Sequence, residues 1–81
     1  MATASEIGQI IKFHRGKAGL TRLQLADLAG IGKSALFDME KGKTSVQLDT
    51  LLKVLAALNI SLEPKSPLMQ AWEKYSTAKS G

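Results

Sequence analysis

Apolar residues recur along this chain at helical spacing, in blocks separated by glycines and polar turns. Ile7, Ile10, Ile11, His14 and Ala18 form the first block. Thr3-Ala4-Ser5-Glu6 before it has the spacing of a capping box, and Gly19 stands where a helix-ending glycine belongs. Thr21-Arg22-Leu23-Gln24 repeats the capping pattern and opens a second helix, with Leu25, Leu28 and Ala29 as its buried stripe. Gly30-Ile31-Gly32 makes a tight turn, with Ile31 as an apolar plug. A third helix runs from about Lys33 to Lys41. Leu36, Met39 and Glu40 share one of its faces, and Gly42 ends it. A fourth covers about Gln47 to Leu58, with Leu48, Leu51, Leu52, Leu55 and Leu58 at i, i+3, i+4, i+7 and i+10.

The period changes after Asn59. Ile60-Ser61-Leu62-Glu63 alternates apolar and polar residues up to Pro64, the pattern of a short strand. A lone strand of this length is not stable, and nothing else in the chain pairs with it. Lys65-Ser66-Pro67 reads as a linker. Leu68, Trp72 and Tyr75 then give a weak amphipathic final helix. The expected architecture is all-α, with about five helices: a domain over residues 1–63 and a tail over 64–81.

Charge adds a partner class. The 81 residues carry a formal net charge of +4. Between Lys12 and Lys43 lie seven basic residues (Lys12, Arg15, Lys17, Arg22, Lys33, Lys41, Lys43) against the acidic Asp27, Asp38 and Glu40. This balance suits a polyanion. The absence of cysteine removes disulfides and thiolate metal sites. No apolar run reaches the ~18 residues of a membrane span. Enzyme chemistry finds little footing: there is one histidine, Ser34 has no base at fixed spacing, and no two carboxylates are placed for paired acid–base work. Gly30-Ile31-Gly32-Lys33-Ser34 lacks the first glycine and the preceding strand of a phosphate loop. No cofactor and no metal are expected.

Several of these segments, in register, resemble one family. Ile7-Gly8 with Ile11 and Arg15, then Gly19-Leu20-Thr21, resembles the opening of the Xre/Cro/C1-type helix-turn-helix regulators of bacteria and phages. Leu25-Ala26-Asp27-Leu28-Ala29-Gly30-Ile31 resembles that family's "L-A-x-x-x-G-V" segment. Leu36 with Met39-Glu40-Lys41-Gly42-Lys43 resembles "I-x-x-I-E-x-G-K". Leu48-Asp49-Thr50-Leu51-Leu52 through Ala57-Leu58-Asn59 resembles the closing helix. Leu58-Asn59-Ile60-Ser61-Leu62 resembles the HipB-like branch, antitoxins that bind DNA. Arg22 departs from the family, which has Gln there, and Gly32 stands where a Ser or Thr cap is usual.

The resemblance implies a lambda-repressor-like fold and a cytoplasmic, nucleoid-associated repressor. It would bind double-stranded DNA as a homodimer, the third helix entering the major groove of a pseudo-palindromic operator. Lys33, Ser34, Phe37 and Asp38 would meet base edges: Lys33 at guanine O6 and N7, Phe37 at a thymine methyl, Asp38 at cytosine N4. Arg22, Lys41, Lys43, Thr44 and Ser45 would hold phosphates, with Lys12 and Lys17 as weaker candidates. Arg15 and Glu40 would form a structural ion pair across helices. Ile60, Ser61 and Leu62 would pair with their copies in a second subunit. Phe13, Leu23 and Trp72 are the candidates for contact with a toxin protein, should the chain act as an antitoxin; for Trp72 the competing expectation is packing back on its own subunit.

Overall fold

The computed structural model describes residues 3–80, and side chains from 3 to 78. Five helices follow in order: α1 (Ala4–Lys17), α2 (Arg22–Ala29), α3 (Lys33–Glu40), α4 (Leu48–Ala57) and α5 (Met69–Ser80). Local chemistry sets their ends. The Thr3 side chain accepts from the N–H of Glu6. At α2 the box is complete: Thr21 Oγ1 accepts from Gln24 N–H at 3.1 Å, and Gln24 Oε1 accepts from Thr21 N–H at 2.8 Å. Gly30 closes α2 in the left-handed region at φ 72°, and its successor Ile31 donates back to the carbonyl of Ala26 at 3.0 Å. Asn59 ends α4 in the same way at φ 59°, followed by a bond from Ile60 N–H to the carbonyl of Leu55.

The core consists of Ile11, Leu25, Ala26, Leu36, Met39, Val54 and Leu55, drawn from α1 to α4. Ile7, Leu20, Ala29, Ile31, Leu51, Leu58 and Ile60 pack around it. The stripes predicted from spacing need correction at three positions. Leu28 is 62% exposed, because α2 turns Leu25, Ala26 and Ala29 inward to meet both α3 and α4. Leu48 and Leu52 are also exposed. The buried face of α4 is instead Leu51, Val54, Leu55 and Leu58, and Val54 is fully enclosed.

Helices α1 and α3 cross closely at Gly8. A Cβ there would collide with the carbonyl oxygen of Met39 and lie 2.9 Å from that of Glu40. The missing side chain is what brings the base of α3 against α1.

Among the described residues no strand forms. Ile60 rests on the core, while Ser61 and Leu62 run exposed and irregular. A ladder needs a second strand, and a single chain offers none. Among the described side chains α5 adds nothing to the core: Trp72 and Tyr75, and Leu68 just before the helix, are each more than half exposed. Trp72 does not pack back on the core of its own subunit. Its ring meets Tyr75 on the same helix, with centroids 6.0 Å apart.

Candidate nucleic-acid interface

Helix α3 is anchored from beneath by Leu36 and Met39, both buried. Residues on its other side are therefore held in fixed positions at the surface. Lys33 and Ser34, in its first turn, are exposed. Gly32 gives no side-chain cap to the first backbone N–H groups of α3.

One turn further along, Phe37 is 39% exposed. Two cations stand over its ring: Lys41 Nζ at 4.3 Å from the centroid and Arg22 Cζ at 4.9 Å. Lys41 comes from the end of α3, whereas Arg22 reaches across from α2. Asp38 pairs with Lys43 at 3.5 Å, a contact open to solvent on both sides. Such an exposed pair contributes little and breaks readily when a phosphate competes. Lys43, Thr44 and Ser45 are exposed in the loop between α3 and α4. Ser45 and Asp38 line a cleft of about 280 Å³ together with Ala35, Gln47 and Thr50. Gln47 and Thr50 join this cleft without having been singled out by the sequence pattern. The signal for them was their place at the start of the fourth helix, which the loop folds toward the exposed side of α3.

Beneath this surface lies the ion pair that steadies it. Arg15 Nε donates to Glu40 Oε2 at 2.7 Å and a second guanidinium nitrogen donates to Oε1 at 3.1 Å, a two-point grip. Another Arg15 nitrogen donates to the carbonyl of Leu20 at 3.0 Å, fixing the turn before α2. Arg22 Nε also donates to Glu40 Oε1, at 3.1 Å. The Glu40 side chain is 3% exposed, so one buried carboxylate serves two arginines. Burial alone would push its pKa up. Hydrogen bonds from Arg15 and Arg22 outweigh that and hold it below the ordinary carboxylate value. Its hydrogen bond to Glu40 raises the Arg15 pKa in turn, against the opposing effect of burial.

Arg22 thus stands differently from the free phosphate ligand its position suggests. Its Nε is committed to Glu40 and its guanidinium to Phe37, leaving the outer nitrogens of a side chain 39% exposed. The predicted partner-facing residues lie on three other helices. Phe13 lies on α1, 62% exposed with Lys17 over its ring at 5.5 Å; Leu23 is on α2, and Trp72 is out on α5.

Four packed helices with a glycine turn between α2 and an outward-facing α3 define a helix-turn-helix protein. The helix-turn-helix family model matches residues 11–65, and the chain belongs to this family of DNA-binding regulators. It is 32% identical over 65 residues to an uncharacterized HTH-type transcriptional regulator of Sinorhizobium fredii, covering 80% of this chain and 86% of the relative. It is 42% identical over 48 residues to an uncharacterized HTH-type transcriptional regulator of Haemophilus influenzae, covering 59% and 49%. Similarity to the immunity repressor protein of Bacillus phage phi105 is 39% over 56 residues, covering 69% and 39%. Among solved structures, chains of the HipB-O4 20mer complex and of the HipA-HipB-O2-O3 complex each superpose with a TM-score of 0.74 at 22% identity, covering 83% of this chain and 94% of theirs. At that identity the likeness concerns the fold.

Proposed function

We propose that the chain is a sequence-specific repressor that binds duplex DNA as a twofold dimer, with α3 in the major groove. The observation that carries this reading is α3 itself: buried on Leu36 and Met39, open at Lys33 and Ser34, and flanked by Lys41 and Lys43. Lys33 and Ser34 are the principal base readers, with Phe37 beside them and Asp38 available to a cytosine amino group. Lys41, Lys43, Thr44 and Ser45 hold phosphates, and the outer nitrogens of Arg22 add to them. Residues 1–63 form the DNA-binding unit. The segment Ile60–Leu62 gains in the dimer the strand partner it lacks in one chain. The printed roles of the relatives, transcriptional regulator and immunity repressor, support the reading.

Selection of bound duplexes from a random pool tests it. The expected product is a pseudo-palindrome with half-sites about one helical turn apart, bound at ~10⁻⁸–10⁻¹¹ M with affinity falling as salt rises. Lys33→Ala is expected to relax base preference, and Lys43→Ala to weaken every duplex about equally. Absence of salt-dependent binding to any duplex refutes the reading.

A second reading is favoured by the exposed apolar side chains Phe13, Leu23 and Trp72. In it the chain is also an antitoxin, and these residues meet a toxin protein. The shared fold with a chain of the HipA-HipB-O2-O3 complex supports it. Co-purification with the product of an adjacent gene, lost on Trp72→Ala, separates the two.

A further inference from the structure

We propose that Phe37 makes binding depend on a methyl group at pyrimidine C5, so that the chain recognises a 5-methylpyrimidine at one position of each half-site. The inference rests on the DNA-binding reading above and specifies what α3 reads.

A phenylalanine on an exposed helix face ordinarily has freedom in its ring orientation. Here Arg22 and Lys41 stand 4.9 and 4.3 Å from the ring centroid and restrict it. Arg22 is itself tied to the buried Glu40, so the ring is referred to the core through a second helix. What remains exposed is an apolar surface surrounded by cations, one turn from Lys33 and Ser34 on the same short helix. Docked against a polyanion, the cations find phosphates. The ring has no such partner, and what it gains on docking is the burial of its own apolar surface, largest where an apolar group lies against it. In the major groove the apolar group on a base edge is the C5-methyl of thymine. A methylated cytosine presents the same group at the same ring carbon. Phe37 is thereby a specificity-determining residue, and Arg22 a positioning residue that acts through it.

The test uses the full chain and a duplex obtained by selection. Each thymine is replaced singly by deoxyuridine, which keeps every hydrogen-bonding group and removes the methyl. At one position per half-site the wild-type chain is expected to lose about three- to fivefold in affinity, the worth of one buried methyl group. In Phe37→Ala that loss disappears. Phe37→Leu, which keeps an apolar side chain, retains part of it. Placing 5-methylcytosine or cytosine at the same position should give a ratio above one for wild type and near one for Phe37→Ala. Arg22→Gln should shrink the thymine-to-deoxyuridine ratio, which loss of a phosphate contact alone would leave unchanged. The proposal is overturned by deoxyuridine tolerance at every position, or by a penalty of equal size in Phe37→Ala. Failure to retain any duplex instead overturns the DNA-binding reading, and this proposal with it.

Discussion

Glu40 shows how much one side chain can organise in a small domain. Its carboxylate, 3% exposed, takes hydrogen bonds from α1 through Arg15 and from α2 through Arg22 while belonging to α3. A buried ion pair is weak evidence of net stability, but deleting one member strands the others. Glu40→Ala would leave Arg15, 14% exposed, without its carboxylate. The expected loss is about 3–5 kcal/mol in urea unfolding. The same group predicts an acid response. Its folded pKa lies below its unfolded value, so its contribution is complete above the unfolded pKa of ~4.3 and is lost as pH falls through the lower folded value. Unfolding measured from pH 7 down to pH 2 should show the wild-type advantage over Glu40→Ala constant above about pH 5 and shrinking below about pH 4. An advantage that stays constant throughout would mean that the carboxylate does not titrate with folding.

At the scale of elements, the crossing of α1 over α3 decides where α3 sits. Gly8 permits it, and nothing soft stands in the way: the atoms a Cβ would meet are backbone carbonyl oxygens. Gly8→Ala must push the helices apart. It is expected to cost about 1–3 kcal/mol in thermal or urea melts, despite alanine's better helix propensity. A neutral or stabilising effect would show that the crossing is loose. Helix boundaries were legible in the sequence because caps are local. Thr3 with Glu6, Thr21 with Gln24 and the glycines at 30 and 42 act within a few residues, so a linear reading captures them. The destination of Arg22 was not legible. Its partner lies eighteen positions away, and a linear reading placed it at the helix start facing phosphate. What draws it inward is a buried carboxylate with acceptor capacity left after Arg15, which no local pattern reveals. The faces of α2 and α4 were misjudged at Leu28, Leu48 and Leu52 for a related reason. The leucines of α4 form one broad stripe, and periodicity alone could not show that packing centres toward Val54 and leaves Leu48 and Leu52 at the outer edge.

At the scale of the whole molecule, the chain divides into a packed body and a carboxy-terminal helix outside its core. If residues 64–81 are not part of the folding unit, a chain ending at Glu63 should melt at the same temperature as the full chain at low protein concentration, within the ~0.5 kcal/mol typical of surface changes. A large loss of stability would place α5 within the cooperative unit. At higher concentration the comparison becomes informative about assembly. Leu62, Leu68, Trp72 and Tyr75 are all more than half exposed, and a small domain gains from covering such surface. The final helix itself was legible from its spacing. What it packs against was not, and among the described residues it adds nothing to the core.

The contact of Arg22 with Phe37 bears on how such a protein can be re-engineered. On the proposed reading, transplanting residues 33–41 into a scaffold without Arg22 would carry over Phe37 without the side chain that steadies its ring. New binding preferences would have to be built on α2 and α3 together, as a matched pair of helices.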